Sequence, residues 1–262
     1  MRSNLVEHVE KAVFVLAVGL LGLLYGYAAR EFGLFPDSLL ERAWLQGQAA
    51  ASSGPPDFVT SAAYDRTGAR TADRDAMQPG LTLVTTLWET SSGWKPGAKI
   101  LDSQGRTVHQ WQLDPAAVFP DSVNRRGLGL RELDFQGSYL FPNGDLLVNV
   151  EYAGTVRLNP CGNVEWALPA GNHHSIERAD DGSFWIPGVT RAARRGSPGH
   201  PEGFPGIARP VYQDVLLRVS PEGRILNSIN LLDLLYDNGL VRQLVKSNFG
   251  YGADVTHLND IQ

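Results

Sequence analysis

Three of the six histidines in this chain stand where side-chain chemistry is available. His173 and His174 are adjacent in the run Asn172-His-His-Ser-Ile-Glu177, and His257 opens the closing run His257-Leu-Asn-Asp-Ile-Gln262. A neutral imidazole serves as nucleophile or as general base near neutral pH. The competing role for each is a polar residue that closes hydrogen bonds between neighbouring β units. Arg191, Arg194, Arg195, His200 and Arg209 lie in a long Gly- and Pro-rich stretch, 190–214. They either bind an anion such as sulfate or form a solvated loop. Other chemistries lack a sequence basis. The adjacent pair His173-His174 has no Cys or carboxylate at metal-ligand spacing. There is no Gly-rich phosphate loop and no Gly-x-Ser-x-Gly motif. No metal and no cofactor is therefore expected. The single cysteine, Cys161, reads as a small residue of an Asn159-Pro-Cys-Gly162 turn, and it forms no disulfide within the chain. His109, inside a Val-His-Gln-Trp run, is expected to be structural.

The elements that would position these residues are short strands. Segment 98–111 is a strand, a polar turn closing on Gly105, and a second strand; 155–166 repeats this around Gly162, and 216–226 around Gly223. Before the second and third copies stands another hairpin, 138–150 turning at Asn143-Gly144 and 175–189 turning at Asp181-Gly182. Glycine takes the φ > 0 position of such turns at no steric cost. Two hairpins make four strands, and four-stranded units at a spacing of about 40–60 residues are the signature of a β-propeller. The expected fold class is mainly β, a propeller or partial propeller with about three units; a general antiparallel sandwich is the alternative. His174 and His257 take matching positions at the start of neighbouring units, so both are expected to face one axis. His173 is expected on the opposite face, because side chains alternate along a strand. Segment 231–246 has helical spacing, with a break near Asn238-Gly239.

In front of these units, 12–29 is an uncharged apolar run. At about 1.5 Å per residue it reaches roughly 27 Å, close to the hydrocarbon thickness of a bilayer. The other reading, a cleaved signal peptide, would put the bulky Tyr27 at position −3 of a cut after Ala29. An uncleaved single-pass anchor is expected, held in the lipid bilayer through 12–29. Gly22-x-x-x-Gly26 offers a weak helix-packing face. Arg2 and Lys11 before the run balance Arg30 and Arg42 after it, so charge does not set the orientation. The expected division is a transmembrane anchor over 1–35, a short helix and linker over 36–79, and a partial propeller over 80–262. The net charge of −5, with no basic tract, excludes the electrostatic footprint of a nucleic-acid partner.

The unit that begins His173-His174-Ser-Ile-Glu and turns at Asp181-Gly182, the Leu-Asp-x-x-Gly hairpins ending in Trp, and the closing His257-Leu-Asn-Asp together resemble the arylsulfotransferase family, over about 81–262. The resemblance rests on the whole arrangement. It implies a six-bladed propeller in the periplasm, anchored in the inner membrane, that moves a sulfuryl group between phenols without a nucleotide donor. A histidine would carry the group, which makes His174, His257 and His173 the implied catalytic residues. Arg191, Arg194 and Asn259 are the implied contacts to a small phenolic or sulfate ligand. About three blades are present where the family has six. A partner chain or a C-terminal half is therefore expected to complete the ring, and the isolated chain is expected to be inactive or weakly active. A non-catalytic, membrane-anchored subunit that binds partner proteins is the alternative.

Overall fold

The computed structural model describes residues 2–32, 34–36, 39–40, 43, 71–73, 75–91, 93–122, 133–207, 210–246 and 255–261. Most of the stretch 36–79, expected to hold a short helix and a linker, and Arg209 lie outside these residues.

Helix α1 (Arg2–Phe32) contains the apolar run. Its stretch Glu7–Ala29 has a mean hydropathy of 2.1 and is long enough to cross a membrane. Its large side chains are exposed all round: Phe14, Leu16, Leu23 and Tyr27 are each at least two-thirds accessible. A helix apolar on every side needs an apolar medium, which a bilayer supplies. Lys11 pairs with Glu7 one turn before the uncharged run, and the Tyr25 hydroxyl donates to the Phe35 carbonyl at 2.6 Å just past its end.

The rest of the described chain is mainly β, in three small antiparallel sheets. The first has three strands in the order β1 (Thr82–Thr90), β2 (Gly93–Leu101), β3 (Thr107–Gln112). A single helical turn, α2 (Pro115–Val118), follows. The second sheet joins β4 (Phe135–Leu140), β5 (Leu146–Val150), β6 (Gly154–Leu158) and β7 (Val164–Leu168) in chain order. The third joins β8 (Glu177–Arg178), β9 (Phe184–Val189), β10 (Asp214–Val219) and β11 (Ile225–Asn230), again in chain order. Both four-stranded units predicted from the repeats are present.

Their turns follow one chemistry. Asp102, Asn159 and Ser220 each stand three residues before a turn glycine, and the glycine amide donates back to that residue's carbonyl at 2.9 Å. In each copy the side-chain oxygen also takes the amides two and four residues on. The glycines sit at φ between 76° and 82°, a region costly for residues with a Cβ. That is why Asp, Asn or Ser must precede Gly at this spacing.

Two apolar clusters tie the sheets together. Ala98 and Trp111 of the first sheet pack with Leu146, Val148 and Val156 of the second. Alternation sends Leu147 to the other face of β5, where it meets Phe184, Ile186 and Leu217 of the third sheet. Polar staples reinforce each junction. The Trp111 indole donates to the Asn159 carbonyl, and the Trp166 indole to the Pro221 carbonyl, both at 3.0 Å. Arg157 also donates to Pro221 O while paired with Asp145 at 2.6 Å. Trp166→Phe removes the donor and also trims the indole to a phenyl ring, so the loss includes some packing. It is expected to lower stability by about 1–3 kcal/mol, the net worth of the hydrogen bond together with the lost ring contacts, read as a shift of the urea midpoint with unchanged slope.

The stretch 190–214 and the C-terminal helical segment build a third, smaller core. Phe204 and Val211 pack against Leu232 of α3 (Leu231–Asp237) and Leu244 of α4 (Val241–Lys246). The helices part at Asn238 and Gly239, where Gly239 has φ 67°.

Candidate functional site

The histidine row is positioned by backbone conformation. His174 and His257 are both non-glycine residues in the left-handed region, at φ 50° and 45°. Such residues are uncommon and cost free energy that surrounding contacts must supply. Tyr152, beside His173, is a third such residue at φ 51°. The His174 and His257 rings lie 5.4 Å apart between centroids, at 67°. His174 is half-buried and His257 exposed.

His173 is placed differently from the sequence expectation. The strand starts at Glu177, so His173 and His174 precede it and strand alternation does not apply. The left-handed turn at His174 swings the two rings together, edge-on at 4.9 Å. His173 is 1 % exposed, and neither ring nitrogen has a hydrogen-bond partner among the described residues. Tyr152 flanks its other side at 5.0 Å. The three imidazoles thus form a row from the interior to the surface.

The segment carrying His173 and His174 is fixed by the preceding sheet. Gln136 Oε1 accepts from the His174 amide at 2.5 Å, and the His174 carbonyl accepts from the Gly137 amide at 2.7 Å. The amide of Asn149, wholly buried in β5, lies 3.1 Å from the carbonyls of His173, His174 and Ser175. Thr155 donates to Asn149 Oδ1 at 2.6 Å and so fixes which way that amide points.

Asp214, at the start of β10, is 2 % exposed and its Oδ1 lies 3.5 Å from His173 Nε2. Oδ2 accepts from the Thr256 hydroxyl at 2.6 Å and from the Leu258 amide at 2.9 Å. Burial pushes this carboxyl up. The interaction with His173 and the bonds from Thr256 and Leu258 outweigh it, so the carboxyl titrates below its ordinary value. A lowered folded value stabilises the fold above the unfolded value of 3.8 and is lost as pH falls through the folded one. Acidification below pH 3.8 is therefore expected to loosen 255–261 ahead of the sheets. Hydrogen exchange of that segment against pH is the measurement.

Arg191, Arg194 and Asn259 are exposed, and neither guanidinium hydrogen-bonds to a histidine among the described residues. Arg194 is held through its backbone, in a bridge to Val211. His109 packs edge-on against Trp111 at 4.3 Å. His200 belongs to a second polar cluster, with Nδ1 3.0 Å from Asp233 Oδ1. There the Ser197 hydroxyl donates to the same carboxylate, so the histidine does not activate it and the trio is not a nucleophile with its base. No group of three or more His, Cys, Asp or Glu is placed to hold a metal among the described residues. Sequence reading passed over Gln136, Asn149, Asp214 and Thr256. A signal existed for Asn149: it is the lone polar residue in the apolar run Leu146-Leu-Val-Asn-Val150.

The chain is thus a mainly β protein of three small antiparallel sheets with one apolar N-terminal helix able to span a membrane. No family description and no curated protein matches it. A solved structure with detectable similarity is a protein of unknown function from Bacteroides caccae. It shares 15% identity over 59% of this chain and 48% of its own, with a TM-score of 0.28. The present chain matches about half the length of that protein, and overlap at this level assigns neither fold nor activity.

Proposed function

We propose that this chain is the membrane-anchored N-terminal part of a β-propeller of the arylsulfotransferase type, with the three sheets as blades and the main domain on the periplasmic side of the inner membrane. The single observation that carries the reading is the ring-to-ring approach of His174 and His257 on matching left-handed residues of neighbouring units. In this reading a ring nitrogen of His174 attacks the sulfur of an aryl sulfate. The sulfur–oxygen bond to the ring breaks, and the phenolate leaves with a proton from His257. An acceptor phenol then gives that proton back to His257 as its oxygen attacks sulfur, and the sulfur–nitrogen bond breaks. Buried His173, backed by Asp214, shapes the inner end of the row. Arg191, Arg194 and Asn259 stand on loops that would close over a sulfate or phenol. The scheme needs no metal or cofactor.

A second reading is favoured by β11, the outermost strand of the third sheet, where Ile225 and Leu226 are 49% and 55% exposed. Exposed apolar residues on an edge strand suit a partner surface, so the chain would be a non-catalytic subunit. One experiment separates the two. The full chain in detergent is mixed with an aryl sulfate, quenched, and weighed intact. A gain of one sulfuryl group, mapped to His174 and absent from His174→Ala, is the expected result. No gain in mass together with no release of donor phenol, with the fold intact, sinks the catalytic reading.

A further inference from the structure

We infer that Asp214 is a positioning residue for the histidine row, a buried carboxylate that sets His257 through its chain neighbours and His173 through its ring; calling that row a reaction site rests on the proposed function above. Thr256 and Leu258 stand on either side of His257, and both donate to Oδ2 of this one side chain, at 2.6 and 2.9 Å. A residue gripped at both neighbours has little freedom in φ and ψ. This grip holds His257 at φ 45°, which its side chain would otherwise disfavour. The other oxygen faces His173 Nε2 at 3.5 Å. Both ends of the row therefore refer to a single group on a rigid strand.

The preceding unit uses the same device with the polarity reversed. Asn149 reaches from the second sheet into the His174 segment, and the two hydrogens of its Nδ2 are shared among three successive carbonyls. Asp214 reaches from the third sheet into the His257 segment and accepts from a hydroxyl and an amide. A carboxylate is acceptor-only when ionised, so the segment it holds must turn donors inward, as 256–258 does. Burying the charge is costly unless donors satisfy it, and the Thr256 hydroxyl and Leu258 amide supply two. The two histidine segments are joined in turn, since the Ile261 amide donates to Ser175 Oγ at 3.2 Å.

The test uses the full chain in detergent, as wild type, Asp214→Asn and Thr256→Val. Hydrogen exchange is followed at 255–261, with β5 and β6 as internal reference. Ring nitrogen resonances of His173 are followed in histidine-labelled protein. Losing a hydrogen bond to a charged acceptor is expected to speed exchange at Leu258 about 10- to 100-fold in Asp214→Asn. Thr256→Val is expected to speed it less. The His173 ring resonances should move in Asp214→Asn and stay in place in Thr256→Val, a distinction that a merely structural role would not produce. Unchanged exchange at 255–261, unmoved His173 resonances in Asp214→Asn, or equal acceleration in β5 and β6 each overturn the assignment. None of these readouts involves sulfuryl transfer, so failure of the proposed function would leave them unaltered.

Discussion

Gly137→Ala is expected to destabilise the domain by about 3 kcal/mol or more, the upper part of the range for forcing atoms into a packed site. A Cβ at residue 137 would meet the His174 carbonyl oxygen at 2.1 Å, the Ser175 carbonyl carbon at 2.7 Å and the Ile176 amide nitrogen at 2.8 Å. All three are backbone atoms, so no side chain can swing aside. Relief requires β4 and the histidine segment to separate. That movement breaks the 2.7 Å bond from the Gly137 amide to His174 and pulls the three carbonyls off Asn149. The buried His173 carbonyl left without its donor adds about 1–3 kcal/mol. Urea unfolding of the full chain in detergent, followed by tryptophan fluorescence, measures the loss. A midpoint equal to wild type would show that the second and third sheets do not meet as described. The same substitution at Gly162, where a Cβ has nothing within 4 Å, tests backbone strain alone and should cost less.

That contrast also marks what the sequence makes legible. The hairpins could be read because their determinants are local: a side-chain acceptor at Asp102, Asn159 or Ser220 and a glycine three residues on fix each turn by contacts within five residues. The apolar run over 12–29 is equally local. The left-handed backbone that His174 and His257 share has no counterpart in a sequence pattern, since both residues carry a Cβ. His173 does not follow strand alternation, because the chain makes a left-handed turn at His174 before the strand begins at Glu177. That turn is imposed by Gln136 and Asn149, 38 and 25 residues away in sequence. Asp214 escaped for the same reason, since its partners Thr256 and Leu258 lie 42 and 44 residues on. Residues whose role is to hold another segment carry no local signature beyond being polar in an apolar strand.

The isolated chain is expected to hydrolyse an aryl sulfate rather than pass its sulfuryl group on, with slow turnover in both directions. Among the described residues the three sheets do not close on themselves, and a propeller whose funnel is walled all round uses typically four to eight. In the proposed function, further blades from a longer chain or a partner supply the missing wall. Without them, water reaches His257, which is exposed, and His174, which is half-buried. Water then competes with the acceptor phenol for the sulfuryl-histidine, and solvent screens the charges that favour transfer. Donor phenol release should therefore exceed acceptor sulfation in the isolated chain. Adding the blades that complete the ring should reverse the ratio. His174→Ala should abolish the sulfuryl adduct and reduce phenol release at least about 100-fold, and His257→Ala should slow both steps about 100- to 10,000-fold by removing the proton donor and acceptor. Colorimetric release of the donor phenol, run beside mass detection of the sulfated acceptor, gives both numbers. Efficient transfer by the three-sheet chain alone, lost in both variants, would show that the open arrangement already excludes water and that the ring argument is wrong.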